Sequence, residues 1–165
     1  MTKYADPGSP LHFRLAVEAD LPRLIPLVNS AFSIETFLEG TRTDEVRIAA
    51  MMSKGKILLA EDSAGRLLGC VYSEVRGLRG YLGQLAVDPA HQRAGLGRRI
   101  IAAAEEHLRR QKCKAVDITV LSLRPELLPI YRRLGFVESG TEDFITTRPV
   151  KSEVECHCIV MSKKL

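Results

Sequence analysis

A mixed α/β sheet with helices on both faces is the fold that three features of the sequence predict. Strand-like and helix-like segments alternate along the 165 residues. Three consecutive strand-like runs are joined by links short enough for antiparallel hairpins. A later strand–helix–strand passage then requires a crossover between parallel neighbours.

The elements follow in order. "FRLAV" (13–17) reads as a first strand, and Asp20 is placed to cap a helix through "LPRLIPLVNSAF". Pro26 falls inside that helix, where a missing N–H and a crowded preceding turn predict a kink or a late start. "FLEGTRTDEVRIAAMMSKG" reads as a polar loop and a second helix. In it Thr43 is the cap, Val46, Ile48, Ala49 and Met52 form the apolar stripe, and Gly55 is the stop. "KILLAED", "RLLGCVYSEV" and "GYLGQLAV" are the hairpin strands.

The next helix, "LGRRIIAAAEEHLRRQ", puts Leu96, Ile100, Ala104 and Leu108 on one face, with Arg98, Arg99, Glu105 and Arg109 elsewhere. "AVDITVL" alternates Val116, Ile118 and Val120, so residues 115–121 would lie parallel to 81–88. "PELLPIYRRLGF" is a short helix ending at Gly135, with Pro129 among the first amides, which need no helical partner. Strands near 136–144 and 156–163 close the pattern.

Composition narrows the function. Hydrophobic residues at 45% and charged residues at 27% describe an ordinary globular chain of one domain (11–165), preceded by a loose tail (1–10) rich in Pro, Gly and Ser. No run of about eighteen apolar residues predicts a membrane span, and the opening "MTKYADPGSPLHF" lacks the apolar core of a signal peptide. A cytoplasmic protein is the simplest expectation. Cys70 and Cys113 stand apart, and Cys156 and Cys158 form a lone C-x-C around His157; without a second ligand pair, no metal is expected. A net charge of +4 with 5% aromatics suits a small polyanion better than nucleic acid, which needs stacking platforms.

The chemistry concentrates in "VDPAHQRAGLGRRI" (87–100), where a strand ends in a glycine-rich turn that opens a helix. Unpaired amides at the positive end of the helix dipole suit phosphate oxygens. Gly95 and Gly97 let the backbone approach closely, and Arg93, Arg98 and Arg99 add charge. No G-x-x-x-x-G-K-[ST] is present, and G-x-G-x-x-G fails because position 100 is Ile.

"LAVDPAHQRAGLGRRII" resembles the acyl-CoA-binding motif of the GCN5-related N-acetyltransferases (GNATs): an apolar strand, V-D-P, then [QR]-x-x-G-x-[GA] opening a helix. Tyr131 to Phe136 match the family's Y-x-x-x-G-F, and "FRLAVEADLPRLIPL" resembles its opening, so the likeness runs from about residue 12 to 163. The resemblance implies a mostly antiparallel sheet of six or seven strands with about four helices, whose central parallel pair splays at the cofactor. It implies acetyl-CoA as acyl donor, with its pantetheine arm on the backbone of Leu85, Ala86 and Val87. The pyrophosphate would rest on amides of Gln92, Arg93, Ala94, Gly95, Leu96, Gly97 and Arg98.

Direct attack by an amine is implied, with an oxyanion met by an amide near Leu85–Val87 and Tyr131 protonating the departing thiolate. Many relatives carry a strand acid where this chain has Gln84. Glu74, on the preceding strand, is the expected general base, through water and beside Gln84. Arg124 stands where relatives often have Asn. Glu35 and Glu39 are placed to recognise a cationic amine, and residues 33–43 and 139–152 to form the acceptor cleft. The acceptor is a small molecule or a peptide, and relatives are commonly dimers. A non-catalytic acyl-CoA-binding module of the same fold is the alternative.

Overall fold

The computed structural model describes residues 8–151 and 154–165; most of the expected tail, residues 1–7, lies outside them. Among the described residues four α-helices and seven strands follow the predicted order: β1 His12–Leu15, α1 Leu21–Ala31, α2 Glu45–Lys54, β2 Lys56–Glu61, β3 Leu67–Arg76, β4 Arg79–Val87, α3 Leu96–Arg110, β5 Ala115–Leu121, α4 Leu128–Arg133, β6 Val137–Asp143 and β7 His157–Lys164. They build one sheet in the order β1-β2-β3-β4-β5-β7-β6. Among the described residues only β4 and β5 run parallel. Among the described residues no helix is long and apolar enough to cross a membrane.

The sheet has an apolar core on each face. Alternation along the strands sends Leu58, Val71, Leu82, Val116, Ile118, Val120 and Met161 to one side. There they meet Ile100, Ile101, Ala104 and Leu108 of α3, and Phe136 after α4. The opposite side carries Ile57, Leu59, Cys70, Tyr72 and Ala86, packed on Leu21, Leu24, Leu27 and Val28 of α1 and Ile48 of α2. Each such large side chain removed from water contributes about 1.5–3 kcal/mol. Gly80 lets α3 lie close on β4, for a Cβ there would come within 2.5 Å of Leu108.

Several local expectations are corrected. β1 ends at Leu15 rather than 17, because the Val17 N–H donates to Asp20 Oδ2 at 2.8 Å and turns the chain. Asp20 therefore does not cap α1. Its carboxylate accepts from Arg14 (2.7 and 2.9 Å) and Arg23 (2.9 Å), which hold its pKa well below the ordinary range. α1 continues through Pro26 without the expected late start. Pro22 and Pro26 are both exposed, so the carbonyl left without an N–H partner faces water.

Asp44, not Thr43, caps α2 by accepting the Arg47 N–H at 2.8 Å, while Thr43 is buried and its N–H donates to Asn29. The inner face of α2 is then Ile48 with half-buried Met51 and Met52, and Val46 and Ala49 point outward. Glu105 is buried in α3, four residues from Ile101 at the edge of the apolar stripe. It is compensated by Lys163 Nζ at 2.9 and 3.1 Å, a partner supplied only by the last strand.

Candidate active site

The site begins where β4 leaves β5. Their parallel pairing covers only Arg79–Leu82 with Ala115–Ile118, although both strands continue. The cause is a β-bulge. On β3, Tyr72 pairs with Gly83 and Cys70 with Ala86, so Gln84 and Leu85 together oppose Val71. Gln84 adopts φ 46°, in the left-handed region, and its amide Nε2 donates to Met51 Sδ at 3.1 Å. A bulge bends the strand and sharpens its twist. It carries the backbone of Leu85, Ala86 and Val87 away from β5 and leaves an open edge. Gly83 inside a strand was the available signal for it.

β4 passes into a braced turn. The Asp88 N–H donates to the Leu68 carbonyl at 2.8 Å, its Oδ1 accepts the Ala90 N–H at 2.9 Å, and buried His91 donates its N–H to the Asp88 carbonyl at 2.8 Å. Gln92 Nε2 reaches back to the Val87 carbonyl at 3.2 Å. Arg93 (φ 68°) and Gly95 (φ 76°) then reverse the chain into α3. Gly95 is the cap residue and supplies no side-chain oxygen. The first bond across this cap is Arg99 N–H to the Gly95 carbonyl at 3.2 Å, which leaves the amides at the start of α3 without a helical acceptor. At Gly97 a Cβ would meet nothing nearer than Leu85 at 3.7 Å, so packing does not require a glycine there.

These observations fit an anion at the α3 terminus, where Arg93 and Arg98 lie exposed beside the free amides. They also fit an amide-bearing chain along the free β4 edge. Both requirements of an acyl-CoA are therefore met by adjoining stretches of backbone.

Tyr131 stands on α4, half-buried, its ring edge-on to Phe136 with centroids 5.9 Å apart. Burial pushes its hydroxyl up to about 12, Arg124 opposing and Tyr81 adding to the shift. Among the described residues no hydrogen bond engages that hydroxyl. It is a protonated, uncommitted donor at neutral pH.

Glu74 is not beside Gln84, as expected, but opposite Tyr81 in the β3–β4 register, because the turn Gly77–Leu78 and not the bulge sets the pairing there. Its carboxylate accepts from Tyr72 Oη (2.7 Å) and Arg76 Nε (2.9 Å). Arg76 and Tyr72 together lower its pKa, which makes it a weaker base than a free glutamate.

The segments expected to form the acceptor cleft do meet. Leu38 bridges Val150, the Glu39 N–H donates to the Pro149 carbonyl at 2.9 Å, and the Lys151 N–H to the Phe37 carbonyl at 3.0 Å. Residue 152 of this cleft lies outside the described residues. Glu35 does not present a free carboxylate to an amine. It is buried between Arg42 Nη1 (3.1 Å) and Arg124 Nη1 (3.3 Å), and Arg124 also binds Glu126 at 2.5 Å. Only Glu39 remains an exposed acid on this loop. Beside the clasp is a cavity of about 500 Å³ bordered by Phe32, Glu35, Arg42, Arg148 and Lys151. Sequence reasoning missed Arg42 and Arg148, which become neighbours only when two loops over a hundred residues apart close on each other. Among the described residues no cluster of three or more His, Cys, Asp or Glu side chains is arranged to hold a metal.

Comparison with known proteins matches residues 27–147 to the acetyltransferase (GNAT) domain. Glucosamine 6-phosphate N-acetyltransferase 1 of rice is 33% identical over 112 residues, covering 63% of this chain and 66% of the rice protein. Mycothiol acetyltransferase of Propionibacterium freudenreichii is 29% identical over 139 residues, which are 79% of this chain and 43% of that protein. The chain thus spans between about half and two thirds of these relatives. Among solved structures, a GNAT-superfamily phosphinothricin acetyltransferase from Sinorhizobium meliloti, in complex with acetyl-CoA, superposes with a TM-score of 0.71 at 18% identity, covering 94% of this chain and 88% of that one. The splayed strand pair, the glycine-capped α3 and the domain match agree: this chain belongs to the GNAT acetyltransferase family.

Proposed function

We propose that the chain transfers an acetyl group from acetyl-CoA to a primary amine by direct attack. The observation that carries this reading is the union of a free β4 edge with an uncapped α3 terminus. That pair of features suits an amide-rich arm joined to a pyrophosphate. The names of the relatives, which specify glucosamine 6-phosphate and mycothiol, support acetyl transfer without choosing an acceptor.

In this reading the backbone of Leu85–Val87 lines the arm, and the amides from Gln92 to Arg98 hold the phosphates. The unprotonated amine forms a bond to the thioester carbonyl carbon, the carbon–sulfur bond breaks, and Tyr131 gives its hydroxyl proton to the leaving thiolate. The excess proton on nitrogen passes to solvent, since Gln84 offers no base and Glu74 is committed to Tyr72 and Arg76. An amide near Leu85–Val87 meets the negative oxygen of the tetrahedral stage.

That same lack of a strand carboxylate favours one second reading, an acyl-CoA-binding module without turnover. Release of CoA thiol from acetyl-CoA across a panel of primary amines decides between them. Amine-dependent release supports the transferase, and tight CoA binding with no release for any amine supports the module.

A further inference from the structure

We infer that the acceptor amine carries an anionic group, a carboxylate or a phosphate, and that Arg148, with Arg42 and Lys151, holds it in the cavity at the α1–α2 clasp. The inference names the acceptor class of the site above, and so rests on the acetyl-transfer reading.

Arg148 is the central observation. It is 8% exposed, yet no carboxylate pairs with it among the described residues. Nε and Nη2 donate to the carbonyls of Glu39 and Gly40, both at 3.1 Å, and Nη1 has no hydrogen-bond partner. A buried cation satisfied only by neutral dipoles is costly, and the Nη1 group left without an acceptor suits an oxygen of a carboxylate or phosphate. Burial and the neighbouring Arg42 and Arg47 pull its pKa below the ordinary arginine value, with Glu35 opposing, which marks a place short of negative charge.

The surrounding charges are already matched. Arg47 pairs with Asp44 at 2.8 Å, and Arg124 with Glu126 at 2.5 Å. Glu35 is shared by Arg42 and Arg124, so it cannot also neutralise Arg148. Lys151 adds an exposed cation to the same rim.

A chain of charged groups links the cavity to Tyr131. Arg42 borders the cavity and binds Glu35, Glu35 binds Arg124, and Arg124 acts electrostatically on Tyr131. An acceptor anchored there by its anion can extend its amine toward the β4 bulge.

The test has two arms, run on the full chain. First, thermal melting is followed with CoA saturating, so that the phosphate cradle is filled, while 2-aminoethyl phosphate, β-alanine or uncharged ethanolamine is added. The expected result is a further rise in Tm with one or both anionic amines and none with ethanolamine. That rise should vanish in Arg148→Gln, and at least halve in the surface variant Lys151→Met, which leaves the buried packing untouched. A response to the phosphate alone or to the carboxylate alone identifies the source of the anion. No shift with either compound, or a shift that both variants retain, overturns the inference.

Second, acetyl transfer is compared between glucosamine 6-phosphate and glucosamine, and between β-alanine and its amide. A kcat/KM at least about tenfold higher for the anionic member is expected, as for loss of a charged hydrogen bond. Equal transfer to both members of each pair defeats the anion site while leaving the transferase reading intact. Anion-dependent melting with no CoA release for any amine defeats the transferase reading instead.

Discussion

Between Val87 and Arg98 the chain offers backbone amides and an open strand edge, whereas around the α1–α2 clasp it offers guanidinium groups and carboxylates drawn from three separate segments. The first half is braced mostly by local bonds, Asp88 to Ala90, His91 to Asp88 and Gln92 to Val87, with Asp88 also tied to Leu68 on the neighbouring strand. The second half is held by side chains that meet across the fold, Glu35 with Arg124 at a separation of 89 residues and Arg148 with Glu39 at 109. A site for an invariant donor can be written in backbone, because the donor never changes. In the proposed reading, the acceptor side, built from side chains, can be altered one residue at a time without disturbing the donor.

Tyr131, which feels the charge of Arg124, is the proposed acid, and replacing it should give the largest effect. In Tyr131→Phe, kcat should fall by about a hundredfold or more while the Kd for CoA stays within about twofold, because the lost hydroxyl acts only on the departing sulfur. An unchanged kcat removes Tyr131 from the chemistry. Because burial raises this hydroxyl to about 12, it is lost as an acid only when pH climbs toward that value. The wild-type rate should therefore rise from pH 6 to 9 as the amine deprotonates, with no alkaline decline before about pH 10; a decline near pH 8 would contradict the assignment.

Gly97→Glu breaks the donor half alone. An acidic residue in the first turn of α3 complements the helix dipole, and a Cβ there has room, so stability should be preserved or slightly raised. The side chain nonetheless brings negative charge to the phosphate cradle, and CoA affinity should drop by about a hundredfold in calorimetric titration. Wild-type affinity in the folded variant would dismantle the cradle.

The same division explains what the sequence disclosed. The glycine turn, the α3 stripe of Leu96, Ile100, Ala104 and Leu108, the alternation of Val116, Ile118 and Val120, and Tyr131 are all local patterns, and each is found where its spacing placed it. The misreadings share one cause, a partner from elsewhere in the fold. Asp20 abandons the helix cap for Arg14 and Arg23, Glu105 turns inward to Lys163, and Glu35 is claimed by Arg42 and Arg124. The Gln84 bulge was missed for another reason: Gly83 signals an irregular strand, but the left-handed residue itself is a glutamine, which leaves no mark in composition.

Glu35→Gln tests the acceptor half. Two arginines would lose their shared carboxylate in a buried setting, at a cost of about 3 kcal/mol, or roughly 6–12 °C in Tm for a chain of this size. CoA affinity should not change. A parallel loss of CoA affinity would show that the halves are coupled rather than separate.

Glu74→Gln should have the smallest effect, and it decides whether Glu74 removes the amine proton. The register sets Glu74 opposite Tyr81, and its oxygens already accept from Tyr72 and Arg76. A glutamine keeps the acceptor for Tyr72 and loses only a half-exposed ion pair with Arg76, worth about 0–1 kcal/mol. The expected change in kcat/KM is under about threefold, with an unaltered pH profile. A general base would behave otherwise, costing about a hundredfold and removing the acidic limb of the profile. If that limb survives in Glu74→Gln, it reports the pKa of the acceptor amine. It should then move when the amine is exchanged for one of different basicity, as expected where proton removal is left to solvent.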